Sequence, residues 1–171
     1  MDAALVTYGL LAGLAIAVLY AAFTDIRSRR IANRLTFTVA LFAPVFWWAS
    51  GLSLWPGVAV QLAMAVGMFF FGALMFRFGQ MGGGDVKLLT AIALWLPPTA
   101  FFVLMLMICI VNGVLTVFMI KRHRKAQRAG KAPEKLQIPY GVSVAVCMLA
   151  LLAVMYGAPL SETLTTNSTW S

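Results

Sequence analysis

All thirteen Lys and Arg residues of the chain fall in three short clusters, within residues 27–34, 77–87 and 121–135. The intervals 3–24, 35–76, 88–120 and 136–161 carry no charge at all. Each is as long as the roughly 20 residues a membrane helix needs. With 62% hydrophobic and only 11% charged residues, against about 25% charged in a typical soluble domain, a water-soluble globule is excluded. The pattern predicts an all-α, polytopic membrane bundle forming a single domain over residues 1–171.

The span count follows from length. Interval 35–76 would be about 63 Å long as one helix, twice the hydrocarbon thickness, so it must fold back. Ser50-Gly51-Leu52-Ser53 and Pro56-Gly57 mark the turn, and Trp47, Trp48 and Trp55 fall where aromatic residues favour the headgroup boundary. Interval 88–120 is broken by Pro97-Pro98, which can open a helix but not sit inside an ordinary one. The expected spans are therefore about six: 3–23, 35–50, 56–76, 86–96, 99–120 and 141–156. Six spans put all three basic clusters on one face, which the positive-inside rule makes cytoplasmic, and leave both termini outside. Five spans would put 121–135 on the opposite face from the other two clusters. The fourth span is short, so its inner end should lie below the membrane surface.

The acidic residues number five, and two differ from the rest. Asp2 and Glu162 lie in the terminal segments and Glu134 in the basic loop, where charge is solvated. Asp25 ends the first span and Asp85 begins the fourth, both at the cytoplasmic boundary, and an ionisable group at bilayer depth points to function by default. Asp85 also fits a plain helix N-cap after a glycine turn, and Asp25 a boundary charge paired with Arg27 or Arg29. The helix dipoles separate the two, favouring negative charge at the start of a helix, where Asp85 lies, over the end, where Asp25 lies. Gly82, Gly83 and Gly84, lacking Cβ, permit left-handed backbone angles or the close approach of another chain.

Gly82-Gly83-Gly84-Asp85 matches G-x-G-D, the signature of membrane-embedded aspartic proteases. It belongs to an ordered set: Asp25 after the first span, Ile31-Ala32-Asn33, G-x-G-D followed by Lys87, and Ile138-Pro139-Tyr140-Gly141 opening the last span. That set resembles the type IV prepilin peptidases, in particular the small peptidase-only form serving tight-adherence (Flp) pili. The resemblance implies an endopeptidase of a bacterial cytoplasmic membrane with Asp25 and Asp85 as a catalytic dyad facing the cytoplasm. It implies no cofactor and no metal. Gly82, Gly83, Gly84, Lys87, Asn33, Pro139, Tyr140 and Gly141 would support the site. The implied substrate is a Flp-type prepilin, cut after a Gly between a short basic leader and an apolar helix.

Ala32 departs from the family's usual Pro in that tripeptide. Larger members also carry paired zinc-binding cysteines in a domain that methylates the product, whereas here Cys109 and Cys147 sit apart in apolar stretches as packing residues. No methyltransferase activity is expected. The basic loop reads as an orientation signal drawn to anionic lipid headgroups, not a nucleic-acid site, with His123 solvated within it. Gly67 and Gly72 are placed for close helix approach. Two other readings compete: a non-enzymatic transporter using both aspartates as an ion site, and a scaffold in which they only cap or pair.

Overall fold

A computed structural model describes residues 3–29, 31–128 and 140–167, with side chains described for 3–29, 31–122 and 140–156. The described residues are helical and contain no strand. The helices are α1 (Ala3–Ser28), α2 (Asn33–Ala49), α3 (Ala59–Arg77), α4 (Gly83–Ala93), α5 (Pro98–Arg128) and α6 (Tyr140–Asn167), with a π-helical turn at Leu54–Val58 leading into α3. Three segments, Ala3–Ser28, Leu54–Arg77 and Pro98–Arg122, are long and apolar enough to cross a membrane, and Tyr140–Tyr156 is a shorter apolar helix. Helices of this length and apolar composition make the protein an integral membrane protein.

The packing follows the apolar spacing. Leu11, Leu14, Val18, Ala21 and Ala22 form one stripe on α1, spaced three and four residues apart as a single helix face requires. α1 lies between α2 and α6, α6 also packs on α5, and α3 and α2 both pack on α4. Most of the surface of α4 is buried: Val86, Leu88, Leu89, Ala91, Ile92 and Ala93 all face protein. Large apolar side chains elsewhere, such as Phe37, Phe70, Phe102 and Val154, point outward, as lipid-facing positions should.

The helix ends differ from the sequence expectation in informative ways. α1 runs on to Ser28, so Asp25 lies within its last turn. Thr24 and Ser28 hydroxyls donate to carbonyls of α1, and Arg29, at φ 53°, ends the helix with its N–H on the Asp25 carbonyl at 2.8 Å. α4 spans 83–93, shifted three residues towards the N-terminus from the expected 86–96. It ends where the Leu94 and Trp95 N–H groups bond three residues back, to Ala91 and Ile92, ahead of Pro97 and Pro98. α5 and α6 run beyond the apolar stretches that defined the expected spans.

Trp47 faces protein and not lipid. It is buried, its indole N–H donating to the Leu94 carbonyl at 2.7 Å, while Trp95 donates to the Val39 carbonyl at 3.0 Å and stacks on Phe46 with ring centroids 5.0 Å apart. Without water nearby an indole N–H must find a protein acceptor, and the open carbonyls at the end of α4 supply one. Trp48 and Trp55 are exposed, at 80% and 82%.

Candidate active site

The first turn of α4 is built around its glycines. Gly82 precedes the helix in extended conformation, Gly83 and Gly84 are its first two residues, and Asp85 is its third. Asp85 is therefore not the N-cap, and none of these glycines uses a left-handed angle. What they provide is closeness. A Cβ on Gly84 would stand 3.1 Å from the Ile31 Cβ, and one on Gly82 would stand 2.7 Å from an Asp85 carboxylate oxygen. The glycines thus let the α1–α2 turn sit against α4 and leave the Asp85 carboxylate room beside the backbone.

Asp25 reaches the same place from α1. Asp25, Arg29, Ile31, Ala32, Asn33, Gly82, Gly83, Gly84 and Asp85 line one open cavity of about 470 Å³. Both carboxyls are half-buried there, close enough to interact electrostatically. No ion pair joins Asp25 to Arg27 or Arg29 among the described residues. Instead, Asp25 Oδ2 accepts the Gly141 N–H at 2.8 Å. Gly141 is the second residue of α6, so this N–H is one of the unsatisfied donors at a helix start, and Asp25 caps a helix distant in the chain. The contact gives Asp25 a positive helix end like the one beside Asp85, so helix dipoles no longer distinguish the two as the sequence alone predicted.

The remaining residues named from the sequence take distinct places. Tyr140 opens α6, half-buried and within electrostatic reach of Asp85. Lys87 Nζ donates to Asn33 Oδ1 at 3.0 Å. Asn33 lines the carboxylate cavity, whereas Lys87 lines a neighbouring groove with Asn33, Phe37, Phe69 and Leu94. Pro139, His123 and Glu134 lie outside the residues whose side chains are described, as do Asp2 and Glu162. Among the described residues no three His, Cys, Asp or Glu side chains converge as metal ligands.

A family model described as the type IV leader peptidase family matches residues 12–117. The chain belongs to this family. The match takes in both aspartates, Asn33, the glycine turn and Lys87, and stops short of Tyr140 and Gly141, which only the fold carries to the site. No curated protein and no solved structure matches the chain. As a leader peptidase, this protein is a protease resembling those that process type IV prepilins, and a pilin precursor is its general substrate class.

Sequence reasoning missed two polar residues of the peptidase, Asn112 on α5 and Ser143 on α6, which bond to each other at 2.7 Å. The signal was available. Asn112 is the one side-chain amide in the uncharged interval 88–120, and a lone amide inside an apolar span asks for a partner.

Proposed function

We propose that this leader peptidase hydrolyses a prepilin by a pair of carboxyls, Asp25 and Asp85. One carboxylate takes a proton from a water held between them, and the water oxygen attacks the scissile carbonyl carbon. The other carboxyl, protonated, hydrogen-bonds the carbonyl oxygen, and a proton then passes to the leaving amine nitrogen as the C–N bond breaks. Two like charges at close range do not both ionise readily, which lets the pair keep the one proton this cycle needs. The observation carrying the reading is that two aspartates from separate helices line one open cavity, one in the first turn of α4 after three glycines.

The proposed topology has six spans with the carboxylates at the cytoplasmic face of a bacterial inner membrane. At 11 residues, α4 is about 16 Å long, so its start lies recessed below the surface when its end reaches the far interface. An apolar substrate helix could then present its cytoplasmic end to Asp85 without leaving the bilayer. Gly82 and Gly141 keep side chains out of the carboxylates' way, Gly83 and Gly84 let Phe76 and Ile31 pack close beside them, Lys87 and Asn33 join α4 to α2, and Tyr140 borders Asp85. The substrate we assign is a Flp-type prepilin cut after its Gly, and methyl transfer is no part of the proposed activity. Anionic headgroups would meet the basic clusters.

Product mapping tests the reading. Purified protein in lipid is incubated with a Flp-type prepilin, and both fragments are weighed by mass spectrometry. One cut immediately after the leader Gly is expected. Cuts scattered along the basic leader, or confined to soluble peptides, would contradict it.

A further inference from the structure

Asn112 and Ser143 lie at the seam between α5 and α6. Ser143, 1% exposed, donates its hydroxyl to Asn112 Oδ1, while Asn112 Nδ2 is buried without a partner. Stability is a poor explanation for the pair. Two apolar side chains of the same shape would fill the seam and remove the unpaired amide. A hydrogen bond does what apolar contacts do not: it has one geometry, and so fixes the rotation and height of one helix against another, the best-attested use of a buried polar group.

The position of Ser143 shows what that register would serve. Two residues earlier in the same first turn, the Gly141 N–H meets Asp25, and a Cβ there would already press on the carboxylate at 3.0 Å. A one-residue rotation of α6, about 100°, or a slide of one turn, about 5.4 Å, would remove that donor. α6 is held by α1 on one side and α5 on the other. On the α5 side, the Ser143 hydroxyl ties the first turn of α6 to Asn112.

We propose that Asn112, acting through Ser143, is a positioning residue that sets α6 so that the Gly141 N–H meets Asp25. The inference rests on Asp25 belonging to the dyad. Among the described residues Asn112 makes no hydrogen bond to either carboxyl. Its effect is on the geometry of one carboxyl, and misplacement by about 1 Å can cost on the order of 100-fold in rate.

The test uses the full-length protein in lipid and measures kcat, KM and melting midpoint for Ser143→Ala, Ser143→Thr, Asn112→Leu and the double variant Asn112→Leu/Ser143→Ala, with Asp25→Asn beside them. Ser143→Ala and Asn112→Leu should each lower kcat about 10- to 100-fold, with KM unchanged and the melting midpoint unchanged or higher. The double variant should be no worse than either single one, and Ser143→Thr, which keeps the hydroxyl, should keep most of the rate. Should Asn112→Leu fail to accumulate, the Ser143→Ala and Ser143→Thr pair decides alone. Wild-type kcat in Ser143→Ala, additive losses in the double variant, or equal losses in Ser143→Ala and Ser143→Thr would overturn the positioning role while an inactive Asp25→Asn leaves the dyad standing. Cleavage that survives Asp25→Asn would overturn both.

Discussion

A single hydrogen atom replaces a side chain at Gly141 and Gly72, and both positions need it. A Cβ at Gly141 would crowd Asp25, and one at Gly72 would stand 2.7 Å from a Val86 methyl. Val86 is β-branched, with little rotamer freedom to move aside. Gly72→Ala should therefore destabilise the α3–α4 contact by about 1–3 kcal/mol, and Val86→Ala in the same chain should restore part of the loss, since touching residues couple. Thermal melting of the two single variants and the double in detergent measures this, and simple additivity would count against the contact. Gly141→Ala should cost activity more than stability, because what it displaces is a carboxylate. Legibility at this scale was uneven. G-x-G-D and the Pro-Tyr-Gly segment announced Gly82–Gly84 and Gly141 as special, but whether a glycine serves a left-handed angle or a close approach depends on what lies opposite. At Gly84 that is Ile31, at Gly72 it is Val86, and at Gly67 nothing lies within 4 Å. Gly67 was expected to allow helix approach and does not.

Among the elements, α4 holds the architecture together. Its start carries Asp85, its middle is buried, and its end is closed by the indole of Trp47. Trp47→Phe removes the donor to the Leu94 carbonyl while keeping most of the ring, and should lower stability by about 0.5–1.5 kcal/mol with little effect on substrate affinity. Chemical denaturation of the reconstituted protein checks the first part and KM the second. Hydropathy located the helices and their turns because charge and proline interrupt otherwise apolar chain. It did not show the bond of Trp47 to α4, because aromatic residues near a turn have two uses, as interface anchors and as donors to an open helix end, and only the neighbouring carbonyl reveals the second. The extension of α1 past Thr24 was also hidden. Its last turn is polar, and it is the Arg29 backbone at φ 53°, not a change in hydropathy, that ends the helix.

Across the whole molecule, sequence and fold meet in the proposed topology. Six spans place the α1–α2 turn and the α3–α4 turn on one side of the membrane, and these are the two turns that build the carboxylate cavity. A cysteine introduced at Ser53 should react with a membrane-impermeant thiol reagent from outside intact cells, and one at Arg29 only after the membrane is opened. The reverse pattern would refute the orientation. Cavity formation itself was not readable from hydropathy, which orders helices along the chain but not around one another. Asp25 and Asp85 are separated by two intervening helices and meet because α4 packs between α2 and α3 while α6 brings Gly141 to Asp25. In the proposed mechanism these two carboxyls perform the cleavage together. The most direct test is cleavage of a prepilin by the purified protein in lipid, with Asp25→Asn, Asp85→Asn and a metal chelator run beside the wild type. Full cleavage is expected with chelator, and a loss of at least about 100-fold in each variant, with both variants folded and present in the membrane. Cleavage that survives either substitution would contradict it.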